Sequence, residues 1–175
     1  MRAQDYANSI AAYLAKNHGQ RGLVVYREFS LGKTIIGKNR RLDVFALHEP
    51  SGRALAIECK WQGSQGTTDE KIPYALQDLA AMHIPAFMVY AGTGFSPGVL
   101  HMLQSHALAA YCLPPSSLEP TPGETTELDH VVAMTFGWWD ALVAGRQPFD
   151  WTRHVPAPAG SASEPDDADA VESSG

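Results

Sequence analysis

The sequence predicts an α/β fold in which a mixed central sheet is flanked by helices. Three β-rich segments follow one another, at residues 23–31, 40–49 and 53–62, and turn residues separate them. A fourth strand at residues 85–92 is apolar throughout, which is typical of a strand that is buried on both faces. Because a helical pattern connects the third strand to the fourth, the sheet is expected to contain both antiparallel and parallel pairs.

Three helices are predicted around this sheet. The first covers residues 5–18, where apolar side chains recur at three- and four-residue spacing. The second begins near residues 69–70, because Pro73 is tolerated in the first turn of a helix but not in its interior. The third begins after Ser96, a residue type favoured at the N-cap and followed here by proline, and it runs to about Ala109.

The C-terminal third of the chain is predicted from composition. A short fifth strand at residues 110–113 completes a core domain at residues 1–113. Residues 114–155 are expected to form a linker and an extension that packs on the core, with a strand and then a helix at residues 130–145. Residues 156–175 carry almost no large apolar side chains and are expected to be a disordered acidic tail.

Charge is distributed unevenly along the 175 residues, although the net charge is only −6. Residues 1–62 contain ten lysines and arginines and five acidic residues, whereas residues 119–175 contain two basic and eleven acidic residues. Such asymmetry indicates a nucleic-acid-binding face, an acidic tail, or both. The N-terminus lacks the apolar stretch of a signal peptide and no run is long enough to span a bilayer, so we expect a soluble, cytoplasmic protein.

The third predicted strand ends in charged residues although its first half is apolar. Side chains alternate in an extended chain, so Glu58, Lys60 and Gln62 share one face. Asp43 lies in a similar apolar setting on the second strand. Two carboxylates from neighbouring strands form an oxygen-rich site of the kind that Mg²⁺ prefers, and a nearby lysine can hold a water or balance charge on a phosphate. The alternative is a half-exposed edge strand with a surface Glu58–Lys60 pair and an incidental Asp43.

Asp43 on the second strand, together with Glu58-Cys59-Lys60 on the third, resembles the signature of the PD-(D/E)XK nuclease superfamily. The resemblance covers about residues 5–113, although a leucine precedes Asp43 where the signature has a proline. A (D/E)-x-K triplet alone is weak evidence, since Asp69-Glu70-Lys71 also fits it at a predicted helix start. The resemblance implies a restriction-endonuclease-like fold with an αβββαβ core, and Mg²⁺- or Mn²⁺-dependent hydrolysis of DNA phosphodiester bonds to a 5′-phosphate.

The resemblance also implies a role for individual residues. Asp43 and Glu58 would bind the metal, with the Cys59 backbone carbonyl as a further ligand. Lys60 would activate or position the water. Gln62 stands where many members carry a glutamine, and Glu28 matches an early acid of Holliday-junction-resolvase-like members.

Basic residues near the first hairpin are expected to contact backbone phosphates, which positions DNA without reading its sequence. The predicted nucleic-acid-binding residues are Arg27, Lys33, Lys38, Arg40, Arg41 and Lys71. The alternative is an ordinary solvated hairpin.

Three other functions stay open: a structure-selective resolvase, a catalytically inactive nuclease-fold module that binds nucleic acid or protein, and an interaction protein that acts through residues 130–155. A restriction, phage or DNA-repair role, a homodimer through Trp138-Trp139 and a partner that supplies target specificity are further expectations.

Overall fold

A computed structural model of the protein describes residues 1–64 and 69–154. The predicted acidic tail, residues 156–175, lies outside the described residues. The chain divides into two units, Met1–Ala144 and Gly145–Gly175. Within the second unit, the described part contains one turn of 3₁₀ helix, Trp151–His154.

The first unit is built on a five-stranded sheet in the order β1-β2-β3-β4-β5. The strands are β1 (Leu23–Lys33), β2 (Asn39–His48), β3 (Arg53–Trp61), β4 (Ala86–Ala91) and β5 (Ala109–Tyr111). The pairs β1–β2 and β2–β3 are antiparallel, whereas β3–β4 and β4–β5 are parallel. The predicted mixed sheet is therefore confirmed.

Helices cover both faces of the sheet. They are α1 (Ala3–His18), α2 (Ile72–Ala80), α3 (Pro97–Ser105), α4 (Thr126–Phe136) and α5 (Trp139–Val143). Buried side chains of α1 and α4 form one core cluster, and those of α2 and α3 form another. The αβββαβ order that the sequence predicts is confirmed. Among the described helices, none has the length and apolar character needed to cross a membrane.

Alternation along β3 decides which side chains reach the site. Ile57 and Cys59 are buried with α1 and α4, while Ala56 is buried with α2 and α3. Glu58 and Lys60 continue the face of Ala56, where α2 leaves them partly open to solvent. The predicted division of the strand into two faces thus places the charged residues toward α2.

Two predicted elements were wrong in type or length. Residues 130–145 form the end of α4 and then α5, not a strand followed by a helix. The buried residues of α4 recur at helical spacing, and Gly137 ends the helix in a left-handed conformation with φ 75°. The third helix stops at Ser105 and not near Ala109, because Ala109 already pairs with Met88 in the sheet.

Half-buried His18, at the C-terminal end of α1, is expected to make stability depend on pH. Burial lowers the pKa of His18. The negative charge of Asp129 opposes this decrease, and the positive charge of Arg21 adds to it. The unfolded state then binds the proton more readily, so stability should fall as pH decreases below about 6.5, the ordinary histidine value. Urea unfolding of wild type between pH 7.5 and 5.5 measures this loss, which His18→Gln should reduce. Exposed His101→Gln is the control, and equal pH dependence in all three proteins would contradict the assignment.

Candidate active site

Glu28, Asp43 and Glu58 lie on β1, β2 and β3 at the place where the pairing of these strands is interrupted. The β1–β2 pairing includes Arg27 with Val44 and Phe29 with Leu42, so Glu28 and Asp43 are opposite each other between these pairs. The β2–β3 pairing ends at Val44 with Ile57, and the same register places Glu58 next to Asp43. Side-chain alternation is interrupted at Asp43, because Leu42 packs in the cluster of α2 and α3 whereas Val44 packs in that of α1 and α4. Asp43 lies close enough to Glu58 for its negative charge to raise the pKa of Glu58.

Asp43 closes the opening between β2 and β3 with its side chain. Its Oδ2 accepts a hydrogen bond of 2.8 Å from the backbone N–H of Cys59. Arg27 donates to the Asp43 carbonyl from the β1 side. Because the N–H and C=O of one residue in an extended strand point to the same side, the Cys59 carbonyl also faces the Asp43 edge.

Glu58 is paired with Lys60 on the face toward α2. Lys60 Nζ lies 2.6 Å from Glu58 Oε1, and the two side chains are only 21% and 25% exposed. Burial raises the pKa of Glu58. The charge of Lys60 opposes this rise, and the negative charge of Asp43 adds to it. An isolated buried carboxylate is costly, and Lys60 provides the opposite charge that Glu58 needs.

A pocket of about 160 Å³ opens in front of Glu58. Residues of the first hairpin, β3 and α2 line it: Thr34, Arg40, Arg41, Leu42, Glu58, Tyr74, Ala75, Asp78 and Leu79. Sequence reasoning did not identify Asp78 or Thr34. The detectable signal was Asp78 itself, an acid within the apolar stripe of an amphipathic helix.

Arg40 and Asp78 form a clamp between the hairpin and α2. Arg40 donates to both Asp78 carboxylate oxygens, each at 2.9 Å, and the side chains are only 11% and 12% exposed. The backbone N–H of Ile35 donates to Asp78 Oδ1 at 2.8 Å. Arg40 was predicted to bind nucleic acid, but its guanidinium is already engaged in this structural contact.

Gln62 anchors the end of β3 to the loop after β4. It is buried, and its Nε2 donates to the Gly94 carbonyl at 2.9 Å. Gly92 has φ 112°, and a Cβ there would overlap the Gln62 carbonyl. Gly94 is equally restricted, because its Cβ would overlap the backbone of Ser64. Gln62 thus joins the end of β3 to the loop after β4, whereas its predicted catalytic role stays a prediction.

Glu28 adopts a left-handed backbone conformation with φ 52°, which is uncommon for a residue other than glycine. Its carboxylate is largely exposed and lies 2.5 Å from Arg41 Nη2. Glu28 therefore holds Arg41 at the rim of the pocket. Its predicted catalytic role remains untested.

The remaining predicted nucleic-acid-binding residues lie on the surface. Lys33, Lys38 and Lys71 are exposed, and Lys33 Nζ contacts Asn39 Oδ1 at 2.5 Å. Arg27 is partly buried and also donates to Asn8 at 2.9 Å. The lysines are therefore better placed than Arg27 or Arg40 for contact with a phosphate backbone.

The oxygen atoms at Asp43 and Glu58 fit a hard divalent cation. Each carboxylate uses one oxygen in the contacts above, and its second oxygen, Oδ1 or Oε2, has no hydrogen-bond partner among the described residues. Within residues 1–64 and 69–154, no three His, Cys, Asp or Glu side chains form a group that could hold a metal. This two-carboxylate set suits Mg²⁺, which retains several waters and needs only one or two protein carboxylates.

Comparison with protein families gives one match to this chain. The family model described as PD-(D/E)XK nuclease superfamily domain matches residues 2–139. The match includes all five strands and α1 to α4, and so contains Asp43, Glu58, Lys60 and the clamp. No curated protein matches the sequence.

Proposed function

Because this chain belongs to the PD-(D/E)XK nuclease superfamily, we propose that it is a metal-dependent endonuclease that hydrolyses DNA phosphodiester bonds. One observation carries the proposal: Asp43 accepts a hydrogen bond from the Cys59 N–H, immediately after Glu58, and Lys60 contacts Glu58. A phosphate in the adjoining pocket would lie beside Glu58 and Arg41, which line that pocket.

Three residues on β2 and β3 would bind the metal in the proposed reaction. Asp43 and Glu58 would hold Mg²⁺ or Mn²⁺, with the Cys59 carbonyl as a third oxygen on the same edge. The bound metal supplies Lewis-acid stabilisation of charge on the phosphate oxygens. Asp43 is kept in place by the Cys59 N–H, so its free oxygen is fixed in direction.

Lys60 is proposed to act on the attacking water. Its Nζ can donate a hydrogen bond that orients the water, and its positive charge stabilises the charge that develops on the phosphate. Water then forms the new P–O bond as the bond to the leaving oxygen breaks. The leaving oxygen takes up a proton, and the products are a 5′-phosphate and a 3′-hydroxyl.

The exposed lysines and Arg41 are proposed to hold the DNA backbone. Lys33 and Lys38 lie at the hairpin, Arg41 lines the pocket and Lys71 precedes α2. Phosphate contacts of this kind are independent of base sequence and weaken as salt rises. Sequence specificity would then require loops or a protein partner.

The proposal is tested by cleavage of a substrate panel in Mg²⁺ and in chelator. Supercoiled plasmid, linear duplex, single strand and four-way junction are incubated with wild type and with Asp43→Asn. We expect cleavage in Mg²⁺ that disappears with chelator and in the variant, and the preferred substrate identifies the structural class. Absence of cleavage with both Mg²⁺ and Mn²⁺ would contradict the proposal.

A second candidate is a nuclease-fold module that binds nucleic acid or protein without turnover. The closed contact between Lys60 and Glu58 favours it, because the pair is satisfied without a metal. Mn²⁺ titration followed by electron paramagnetic resonance separates the two functions, since only the nuclease requires binding through Asp43 and Glu58.

Trp138 is buried in the core and Trp139 is 58% exposed, so Trp139 is the member of the pair available for a proposed dimer contact.

A further inference from the structure

The turn between β1 and β2 exposes two adjacent isoleucines. Ile35 is 46% exposed and Ile36 is 60% exposed. They occupy the centre of a tight turn, because the Gly37 N–H donates to the Thr34 carbonyl at 2.8 Å. Glycine, proline, asparagine, aspartate and serine are the residues favoured in turns, so a pair of β-branched apolar residues is contrary to local preference. Such departures from local preference are expected at functional sites.

This turn is held firmly in spite of its exposure. The Thr34 N–H donates to the Lys38 carbonyl at 2.8 Å, and the Lys38 N–H donates to Thr34 Oγ1 at 3.2 Å. The Ile35 N–H donates to buried Asp78, which the Arg40 guanidinium also contacts. The isoleucine side chains are therefore presented to solvent by a fixed backbone, and little further ordering is needed to bind a partner.

The position and the charge of the turn match duplex DNA at the candidate site. Thr34, immediately before the isoleucines, lines the same pocket as Glu58. Lys33 and Lys38 flank the apolar tip, and both side chains are exposed. A small apolar tip between two cations fits a groove of DNA, where the cations contact phosphates and the apolar groups contact bases.

We propose that Ile35 and Ile36 are an apolar wedge that inserts between adjacent base pairs of the bound DNA and unstacks one step. This inference rests on the proposed function, since it requires DNA at the site. Proteins that kink DNA insert isoleucine, leucine, methionine or phenylalanine in this way. Unstacking near the pocket would bend the scissile strand toward Glu58. It would also favour duplexes that are already distorted, because less free energy is needed to open their base steps.

The test uses duplexes that carry 2-aminopurine, whose fluorescence increases when it is unstacked. Full-length wild type is compared in chelator with Ile35→Ser/Ile36→Ser, in which serine suits the turn. Val143→Ser is the matched control, because Val143 is a β-branched apolar residue that is 59% exposed on α5. We expect a several-fold fluorescence increase with wild type and the control, and loss of that increase with the double variant.

A second double variant distinguishes loss of the wedge from a folding defect. Ile35→Thr/Ile36→Thr retains the β-branched shape and should lose the fluorescence increase as well. The urea midpoint of each variant shows whether it is folded. Cleavage of a mismatched duplex should be less impaired than cleavage of a perfect duplex, because the mismatch is already partly unstacked.

Four results would overturn the wedge. The serine variant could retain the fluorescence increase, or wild type could bind DNA without producing one. The serine variant could change the oligomeric state and leave DNA binding intact, which would make the tip a protein contact. If wild type binds no DNA in the panel, the proposed function fails together with the wedge, whereas the first three results leave the nuclease proposal standing.

Discussion

Lys60→Met is expected to reduce DNA cleavage by about 10²- to 10⁴-fold, the contribution typical of a residue that moves or holds a proton in catalysis. The substitution removes the cation 2.6 Å from Glu58 but preserves much of the stem of the side chain. Single-turnover cleavage of the preferred substrate in Mg²⁺ measures the loss. Affinity for DNA in chelator should change much less, because the exposed lysines and Arg41 carry the phosphate contacts.

The control for this experiment is Lys16→Met. Lys16 lies on α1, where it contacts Glu119, and its side chain is 43% exposed. Its loss should leave cleavage unchanged and cost at most about 1 kcal/mol of stability, as for exposed ion pairs in general. Cleavage by Lys60→Met within twofold of wild type would contradict the role given to Lys60. A folded Lys60→Met that binds Mn²⁺ but does not cleave would support it.

The order of the elements was predictable because local signals agreed with the fold. The β-branched segments became β1 to β3, the apolar segment became β4, and Ser96 accepts the Val99 N–H as the N-cap of α3. The two faces of β3 followed from alternation alone. These features depend on neighbours in sequence, so a single sequence contains them.

The C-terminal helices were less predictable because the predicted segment did not begin where α4 begins. Leu128, Val131, Val132 and Phe136 form the buried stripe of α4, which begins at Thr126. The sequence prediction for this segment began at residue 130, so it missed the first turn of α4. Valine and phenylalanine also favour strands, and burial against the first core cluster decided the outcome.

Contacts at the site between segments that are distant in sequence could not be predicted from the sequence. Nothing local indicates that Asp78 of α2 pairs with Arg40 of β2, or that Asp43 accepts the Cys59 N–H. Arg40 shows the consequence, since a basic residue in a basic hairpin was assigned to phosphate binding. In the structure its guanidinium contacts the buried Asp78 carboxylate, and its contact with phosphate stays a prediction.

Asp78→Ala is expected to destabilise the protein by about 3 kcal/mol, near the lower end for removal of one partner from a buried ion pair. The substitution leaves the Arg40 cation, 11% exposed, without its carboxylate and the Ile35 N–H without its acceptor. Urea unfolding at pH 7 measures the change. The matched control is Asp140→Ala, which breaks the exposed Arg21–Asp140 pair and should reduce stability far less.

Asp78→Asn separates the charge from the hydrogen bond, because the amide oxygen can still accept from Ile35. The Arg40 guanidinium, and then the Ile35 N–H, hold the pKa of Asp78 below its ordinary value. The stabilisation is therefore present above the unfolded pKa and lost as pH falls toward the lower folded pKa. The difference in stability between wild type and Asp78→Asn should therefore narrow as pH falls through this range. If other carboxylates dominate acid unfolding, the difference will stay the same.

The clamp also links stability to the wedge proposed for the hairpin tip. Asp78→Ala releases the backbone of Ile35, so the tip loses its fixed position even in molecules that remain folded. Unstacking of 2-aminopurine should then weaken in Asp78→Ala and persist in Asp78→Asn, which keeps the acceptor. Equal unstacking in both variants would show that a fixed tip is unnecessary, and a stability loss as small as that of Asp140→Ala would show that Arg40 finds another partner.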